Sequence, residues 1–151
     1  MLTEKLMGAG GAGGAAAGAA YWIALLGGTG FDRAEAVAVD SSDNIIVAGY
    51  TNSDGAGNQD VLIAKYNSSG TLQWDRTLGG TGYDQGGAVA VDGSDNIIVA
   101  GNTNSDGAGS NDGLIAKYNS SGTLQWQRTL GGTALDYFLD IAVDSADNII
   151  C

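Results

Sequence analysis

Apolar residues between positions 36 and 78 come in four short runs, each closed by polar or glycine-rich sequence. Ala36-Val-Ala-Val39 ends at Asp40-Ser-Ser-Asp-Asn44, a cluster suited to a tight reversal. Ile45-Ile-Val-Ala48 is continuous and β-branched and too short for a helix, which predicts a strand buried on both faces. Val61-Leu-Ile-Ala-Lys-Tyr66 follows the loop at 52–59, and Asn67-Ser-Ser-Gly70 is a turn by composition. The fourth run, Thr71 to Leu78, sets Leu72, Trp74, Arg76 and Leu78 against Gln73, Asp75 and Thr77, the alternation of a half-exposed outer strand. No stretch holds a sustained 3.6-residue apolar period, so helical repeat arrays are set aside.

The pattern recurs at an offset of 52. Leu26-Gly-Gly-Thr-Gly-Phe-Asp32 returns as Leu78-Gly-Gly-Thr-Gly-Tyr-Asp84 and as Leu130-Gly-Gly-Thr-Ala-Leu-Asp136, and the tryptophans fall at Trp22, Trp74 and Trp126. Residues 22–73 and 74–125 are identical at 40 of 52 positions without a gap, which points to recent duplication. Four antiparallel strands in a unit of this length describe a β-propeller blade. The gradient from small Ala, Val and Gly in the first strand to Trp, Arg and Asp in the last fits a crowded centre and a roomy rim. A closed β-trefoil needs three whole units, whereas from Trp22 onward the chain holds 2.5. The predicted fold is therefore all-β: an incomplete propeller of four-stranded antiparallel sheets. Its expected divisions are a Gly/Ala-rich flexible arm at 1–20, an outer strand plus two blades at 21–137, and the start of a truncated third blade at 138–151. A chain ending inside a strand at Cys151 suggests a fragment or a prematurely ended reading frame. Blades with unpaired edges would also favour self-association.

Composition narrows the chemistry. There is no His, which removes Ser-His-Asp and Cys-His relays, imidazole bases and His metal ligands. One Cys forbids an internal disulfide, and 17 acidic against 6 basic residues argues against a nucleic-acid partner. Glu4 and Lys5 cancel, so the net charge of −11 belongs to the repeats. The 26 glycines divide between the arm and the repeat turns. Residues 8–20 are all Gly or Ala, too Gly-rich for a secretory h-region or a membrane span. Gly8-Ala-Gly10-Gly-Ala-Gly13 matches G-x-G-x-x-G by homogeneity alone, with no strand before it or helix after it.

Residues 60–101 carry the linked motifs Asp-Val-Leu-Ile-Ala-Lys-Tyr-Asn-Ser-Ser-Gly, Leu-Gly-Gly-Thr-Gly-Tyr-Asp and Ala-Val-Ala-Val-Asp-Gly-Ser-Asp-Asn-Ile-Ile-Val-Ala-Gly. In these the chain resembles the SBBP β-propeller repeat of bacteria and phages, over about 21–151. Asp43, Asp95 and Asp147 stand where that family often has Gly, a position that Asp tolerates in a left-handed turn. The resemblance implies a fold and no shared catalytic site. Met1-Leu-Thr-Glu-Lys-Leu-Met-Gly-Ala9 resembles the start of marine tailed-phage virion structural proteins.

Three constellations are candidate sites. Asn52, Asp54 and Asp60, repeated as Asn104, Asp106 and Asp112, place oxygens at relative positions 1, 3 and 9 with Gly57 and Gly109 at 6. This resembles a calcium loop, although Ala56 and Ala108 leave position 5 without a carboxylate; a polar loop whose Asx side chains cap their own turns is the favoured reading. Trp22, Trp74 and Trp126 offer sugar-stacking platforms, against the commoner role of packing between blades. Asp32/Asp84/Asp136 and Asp40/Asp92/Asp144 offer paired carboxylates for glycoside cleavage. Their equivalence in every unit favours turn capping, because acid and base need different environments. Lys65 and Lys117 are expected to pair locally with carboxylates.

The function expected is a non-enzymatic structural or interaction module that displays the loops at 52–60 and 104–112 to a protein partner. Its expected setting is a virion, as a tail-associated component, or the extracellular or cell surface. A lectin-like propeller binding a surface glycan is the alternative, and a hydrolase is the weakest. No cofactor is expected beyond the calcium loops.

Overall fold

The computed structural model describes residues 23, 24 and 26–151. The arm at 1–20, the phage-like opening and Trp22 lie outside the described residues. Those described contain ten strands and no helix. Strands β1 (Asp32–Val39), β2 (Ile45–Thr51), β3 (Asp60–Tyr66) and β4 (Leu72–Leu78) form one sheet in chain order, and β5 (Asp84–Val91), β6 (Ile97–Thr103), β7 (Asp112–Tyr118) and β8 (Leu124–Leu130) form a second. β9 (Ala142–Val143) and β10 (Ile149–Ile150) begin a third with the same turn between them. All pairings within the sheets are antiparallel, as expected of incomplete propeller blades. Ile23, Ala24 and Leu26 join no ladder, and the rest of the expected outer strand at 21–26 falls outside the described residues.

The first strand starts at Asp32, four residues before its apolar run, and the second runs on to Thr51. The extension pairs Arg33 with Tyr50 and Ala34 with Gly49, then jumps to Ala36–Ala48, leaving Glu35 in a bulge. Gly49 permits the close approach, since a Cβ there would collide with the Arg33 carbonyl; Gly101 repeats this against Gln85. Polar ends and a bulge hide such an extension from the hydrophobic pattern.

Each hairpin between the first two strands of a unit is closed the same way. Asp40 Oδ1 accepts Ser42 N and Asn44 N, both at 2.9 Å, while the Asn44 amide donates to Oδ2 at 2.8 Å. This fixes a turn in which Asp43, Asp95 and Asp147 have φ of 59°, 61° and 61°, the left-handed positions foreseen for them. In the next turn Asn67 Oδ1 accepts Ser69 N at 3.1 Å and Thr71 N at 2.8 Å, and Gly70 has φ 82°.

The main core lies between the two sheets. Ile46, Ala48, Val61 and Ile63 of the first meet Ile97, Val99, Leu114, Ala116 and Tyr118 of the second, with Val89, Val91, Leu78 and Trp74 packed against them. Burying each large side chain contributes roughly 1.5–3 kcal/mol. The other face of the second sheet carries Ile98, Ala100 and Ile115 against Ile141, with Phe138, Val143 and Ile149 closing over them. β6 is thus buried throughout, which accounts for its unbroken apolar run. β4 is half-exposed, as its alternation predicts. On the free face of the first sheet Val37 is 65% and Val39 57% exposed, where Val89 and Val91 are packed.

Candidate functional site

Function-bearing side chains gather along the seam between sheets and in the loop that leads into it. The loop after β2 folds back on Asp60, the first residue of β3. Asp60 Oδ2 accepts Ala56 N at 3.0 Å and Gly57 N at 3.2 Å, and Asp54 Oδ1 accepts Gly55 N at 2.8 Å, with Gly55 at φ 108°. Asp112, Ala108, Gly109, Asp106 and Gly107 repeat this arrangement. Both loop tips are exposed, while Asp60 and Asp112 are 2% and 1% exposed.

The loop also grips the following unit. Asn58 N and Gln59 N donate to Gly82 O at 3.1 and 3.2 Å, Gln59 O accepts Asp84 N at 2.8 Å, and Gln59 and Tyr83 form a parallel bridge. Asp84 in turn accepts Gly80 N at 2.9 Å, Ser105 Oγ at 2.6 Å and the Thr103 hydroxyl. Asp32 binds Gly28, Ser53 and Thr51 equivalently. The acids at 32, 84 and 40 are therefore strand-end and turn caps in this fold.

The residues suggested as calcium ligands make hydrogen bonds within and beside their loops: Asp60 and Asp112 take the N–H groups of Ala56 and Ala108, and Asp54 and Asp106 those of Gly55 and Gly107. Asn52 sits on β1's approach, its N–H donating to Phe31 O at 2.9 Å, and the Asn104 side chain accepts Tyr83 N at 2.5 Å. Among the described residues no group of three or more acidic or thiol side chains converges as a metal cluster. Instead Asp60 meets a carboxylate from the next unit. The point a Cβ of Gly79 would occupy lies 2.5 Å from Asp60 Oδ1 and 2.6 Å from Asp84 Oδ2. Burial pushes the Asp60 carboxyl up; Gly57 and Ala56 N–H groups offset part of this, and the carboxylates of Asp84 and Asp54 add to the rise. Gly131 stands in the same way between Asp112 and Asp136. No local motif marks this pair; its signal in the sequence is a constant separation from the start of one unit's third strand to the start of the next unit's first.

The opposite edge of the seam holds two ion pairs. Lys65 Nζ is 2.7 Å from Asp40 Oδ2 and donates to Ser120 O at 3.3 Å, and Lys117 Nζ is 2.7 Å from Asp92 Oδ2, so both lysines pair locally. Burial would raise Asp40 and Asp92, but bonds from Lys65 and Asn44, and from Lys117 and Asn96, outweigh it and hold each at about 2. An open polar cleft of about 580 Å³ lies here, lined by Asp40, Lys65, Gln73, Trp74, Asp95 and Ser120 among others. Ser41 reaches across to Asp95, with N–H and hydroxyl donating to its two oxygens at 2.9 and 2.7 Å.

Trp74 is part of the seam. Its Nε1 donates to Ser120 O at 3.3 Å, its ring lies against Gly122 where a Cβ would come within 2.8 Å, and the Arg76 guanidinium sits 5.5 Å from its centroid. Trp126 packs at the edge of the second core with Arg128 at 5.8 Å. Both rings are thus used between or beside sheets, while Trp22 lies outside the described residues.

Four-stranded antiparallel meanders at a 52-residue period, packed face to face and stitched by a loop-to-strand bridge, define a β-propeller repeat chain. The family model described as SBBP, beta-propeller repeat, matches residues 22–56, and a domain of unknown function (DUF5122) beta-propeller matches 41–72 and 93–124. Among curated proteins the chain is 30% identical over 102 residues to regulatory protein FlaEY of Caulobacter vibrioides, covering 59% of this chain and 11% of that protein. It is 23% identical over 180 residues to a WD repeat-containing protein of Acanthamoeba polyphaga mimivirus, covering 87% of this chain and 13% of the relative. The chain therefore spans little more than a tenth of the curated relatives it matches. No helix among the described residues is long and apolar enough to cross a membrane.

Proposed function

We propose that this chain is a non-enzymatic interaction module in which stacked propeller blades display the loops 52–60 and 104–112 to a protein partner. The observation that carries the reading is the combination of exposed tips with buried anchors. Asp54 to Asn58 and Ser105 to Ser110 face solvent, while Asp60 and Asp112 hold each loop from inside the sheet. A loop ordered in advance loses little entropy on binding. The match to a WD repeat-containing protein and to a regulatory protein is compatible with such a role. The setting we propose is a phage particle, tail-associated, or a cell surface, with residues 1–20 as attachment or spacer; the opening residues support it.

The glycan alternative has less support, because Trp74 already spends its ring and Nε1 on the neighbouring unit. Site-specific photo-crosslinkers at Asn58 and Ser110, compared with Ser69 and Ser121 at the opposite strand ends, test the proposal on purified particles or intact cell envelopes. One partner captured from the first pair and absent from the second is expected. Equal capture at both ends, or binding to a glycan array that Trp126→Ala abolishes, would overturn it.

A further inference from the structure

We propose that a cleft between the first strands of successive units anchors an extended segment of a partner protein, taking one uncharged apolar side chain of that segment and pairing the adjoining peptide group with Asn102. The inference rests on the display reading above and names where the displayed face grips its partner. Residues 22–73 and 74–125 differ at 12 of 52 positions, and exposure does not explain which: the exposed loop tips 54–57 and 106–109 are identical, as are the exposed turn residues Ser68-Ser69 and Ser120-Ser121. A cleft of about 210 Å³ is lined instead by positions that do differ between units. They account for nine of its ten lining residues, among them Glu35, Gly87 and Leu139 at one repeat position and Tyr50 and Asn102 at another; the tenth is Gly101. Units that stay identical present equivalent surfaces, so a site that holds one ligand in one orientation has to be built from such differences.

The chemistry of the cleft selects the occupant. Glu35 pairs with Arg33 at 3.0 Å, Gln85 donates to Gln59 at 2.5 Å, and the Tyr137 hydroxyl accepts Asn111 Nδ2 at 3.1 Å. Asn102 differs: it is 9% exposed, and among the described residues its side-chain amide has no hydrogen-bond partner. A buried amide without a partner is costly, and its donor beside its acceptor is the complement of a peptide group. Around it Tyr50, Phe138 and Leu139 form an apolar wall, with Leu139 86% exposed. Because Arg33 neutralises Glu35, that wall suits an uncharged side chain. The volume falls below the roughly 300–1,000 Å³ of small-molecule sites and fits a single anchoring side chain of a larger partner. Gln59 and Asn111 belong to the displayed loops, so the cleft is continuous with the face proposed to meet a protein.

The test is a titration of the isotope-labelled full chain, followed by NMR at the Gly86, Gly87 and Gly101 backbone amides, with hexapeptides of Gly and Ser that carry one central Leu, Phe, Lys or Glu. The Leu and Phe peptides should move these resonances saturably, with a Kd of about millimolar order, and the Lys and Glu peptides should not. Asn102→Tyr and Gly87→Glu introduce the residues that the first unit holds at the same positions, and a Cβ at Gly87 would meet its nearest atoms at 3.9 Å, so the fold has room for both. Each should weaken binding by about tenfold or more, while Ser121→Tyr, at the opposite strand ends, should leave it unchanged. No saturable shift with either apolar peptide, equal shifts with the charged ones, or undiminished binding in either cleft variant would overturn the proposal. The titration needs only the purified chain, whereas the crosslinks at Asn58 and Ser110 need the natural partner, so failure of the cleft and failure of display are read separately.

Discussion

Replacing Lys65 with Met keeps the length of a buried stem and deletes its charge. Lys65 is 4% exposed, and its ammonium group faces Asp40 at 2.7 Å and the Ser120 carbonyl at 3.3 Å. Breaking a buried ion pair by removing one partner costs about 3–5 kcal/mol; because Asp40 retains its bonds to Ser42 and Asn44, Lys65→Met should cost about 3 kcal/mol at neutral pH. The acid limb gives a second, independent reading. Asp40 is held at about 2 against an ordinary 3.8, so its contribution is fully present above the unfolded value and is lost as pH falls through about 2. That difference is worth roughly 2 kcal/mol, and Asp92 with Lys117 supplies a matching amount in the second unit. Asp60 acts oppositely: its raised carboxyl destabilises the ionised protein, and the penalty is relieved as pH falls toward 3.8. Urea unfolding followed by tryptophan fluorescence, from neutral pH down to about pH 2, should show a shallow rise and then a fall in stability. In Lys65→Met the fall should be about half as deep as in the wild type, since only Asp92 remains paired. Parallel acid limbs in the two proteins would refute the assignment of Asp40's low value to Lys65.

Three further outcomes are expected. Gly79→Ala forces a Cβ to within 2.5 and 2.6 Å of the Asp60 and Asp84 oxygens and should destabilise by about 2 kcal/mol or more in urea, while Gly132→Ala, with nothing within 4 Å, should stay within about 0.5 kcal/mol. Asp43→Gly relieves a left-handed residue at φ 59° and should stabilise by up to about 1 kcal/mol, whereas Asp95→Gly should not, because Ser41 loses both bonds to it; calorimetric midpoints of the pair decide this. Sedimentation velocity should show concentration-dependent association of the full chain that Val37→Lys weakens, since Val37 lies on the free face whose counterpart in the second sheet is packed; a monodisperse wild type would contradict it.

The chain's own pattern determined a good deal. Its 52-residue period, its β-branched runs and its Asx-rich turns fixed four strands per unit, because side-chain period and turn chemistry are local properties. Asp43, Asp95 and Asp147 were legible as left-handed turn residues through the family resemblance, because they stand where the repeat often has Gly and Asp tolerates that conformation. Strand ends were less legible: Asp32–Glu35 and Gly49–Thr51 are polar or bulged, and their pairing rests on a glycine whose value shows only when two backbones meet. The site was least legible. Asp60 reads from the sequence as a cap of its own loop, and its Oδ2 takes the Ala56 and Gly57 N–H groups, but its approach to Asp84 of the next unit around Gly79 has no local signal. Trp74 reads from the sequence as a packing residue between blades, but its partners, the Ser120 carbonyl and Gly122 of the neighbouring sheet, do not. Sequence decides what each unit is, since that depends on contacts within about fifty residues; what the units do to one another is decided where sheets pack, by groups that no single repeat contains.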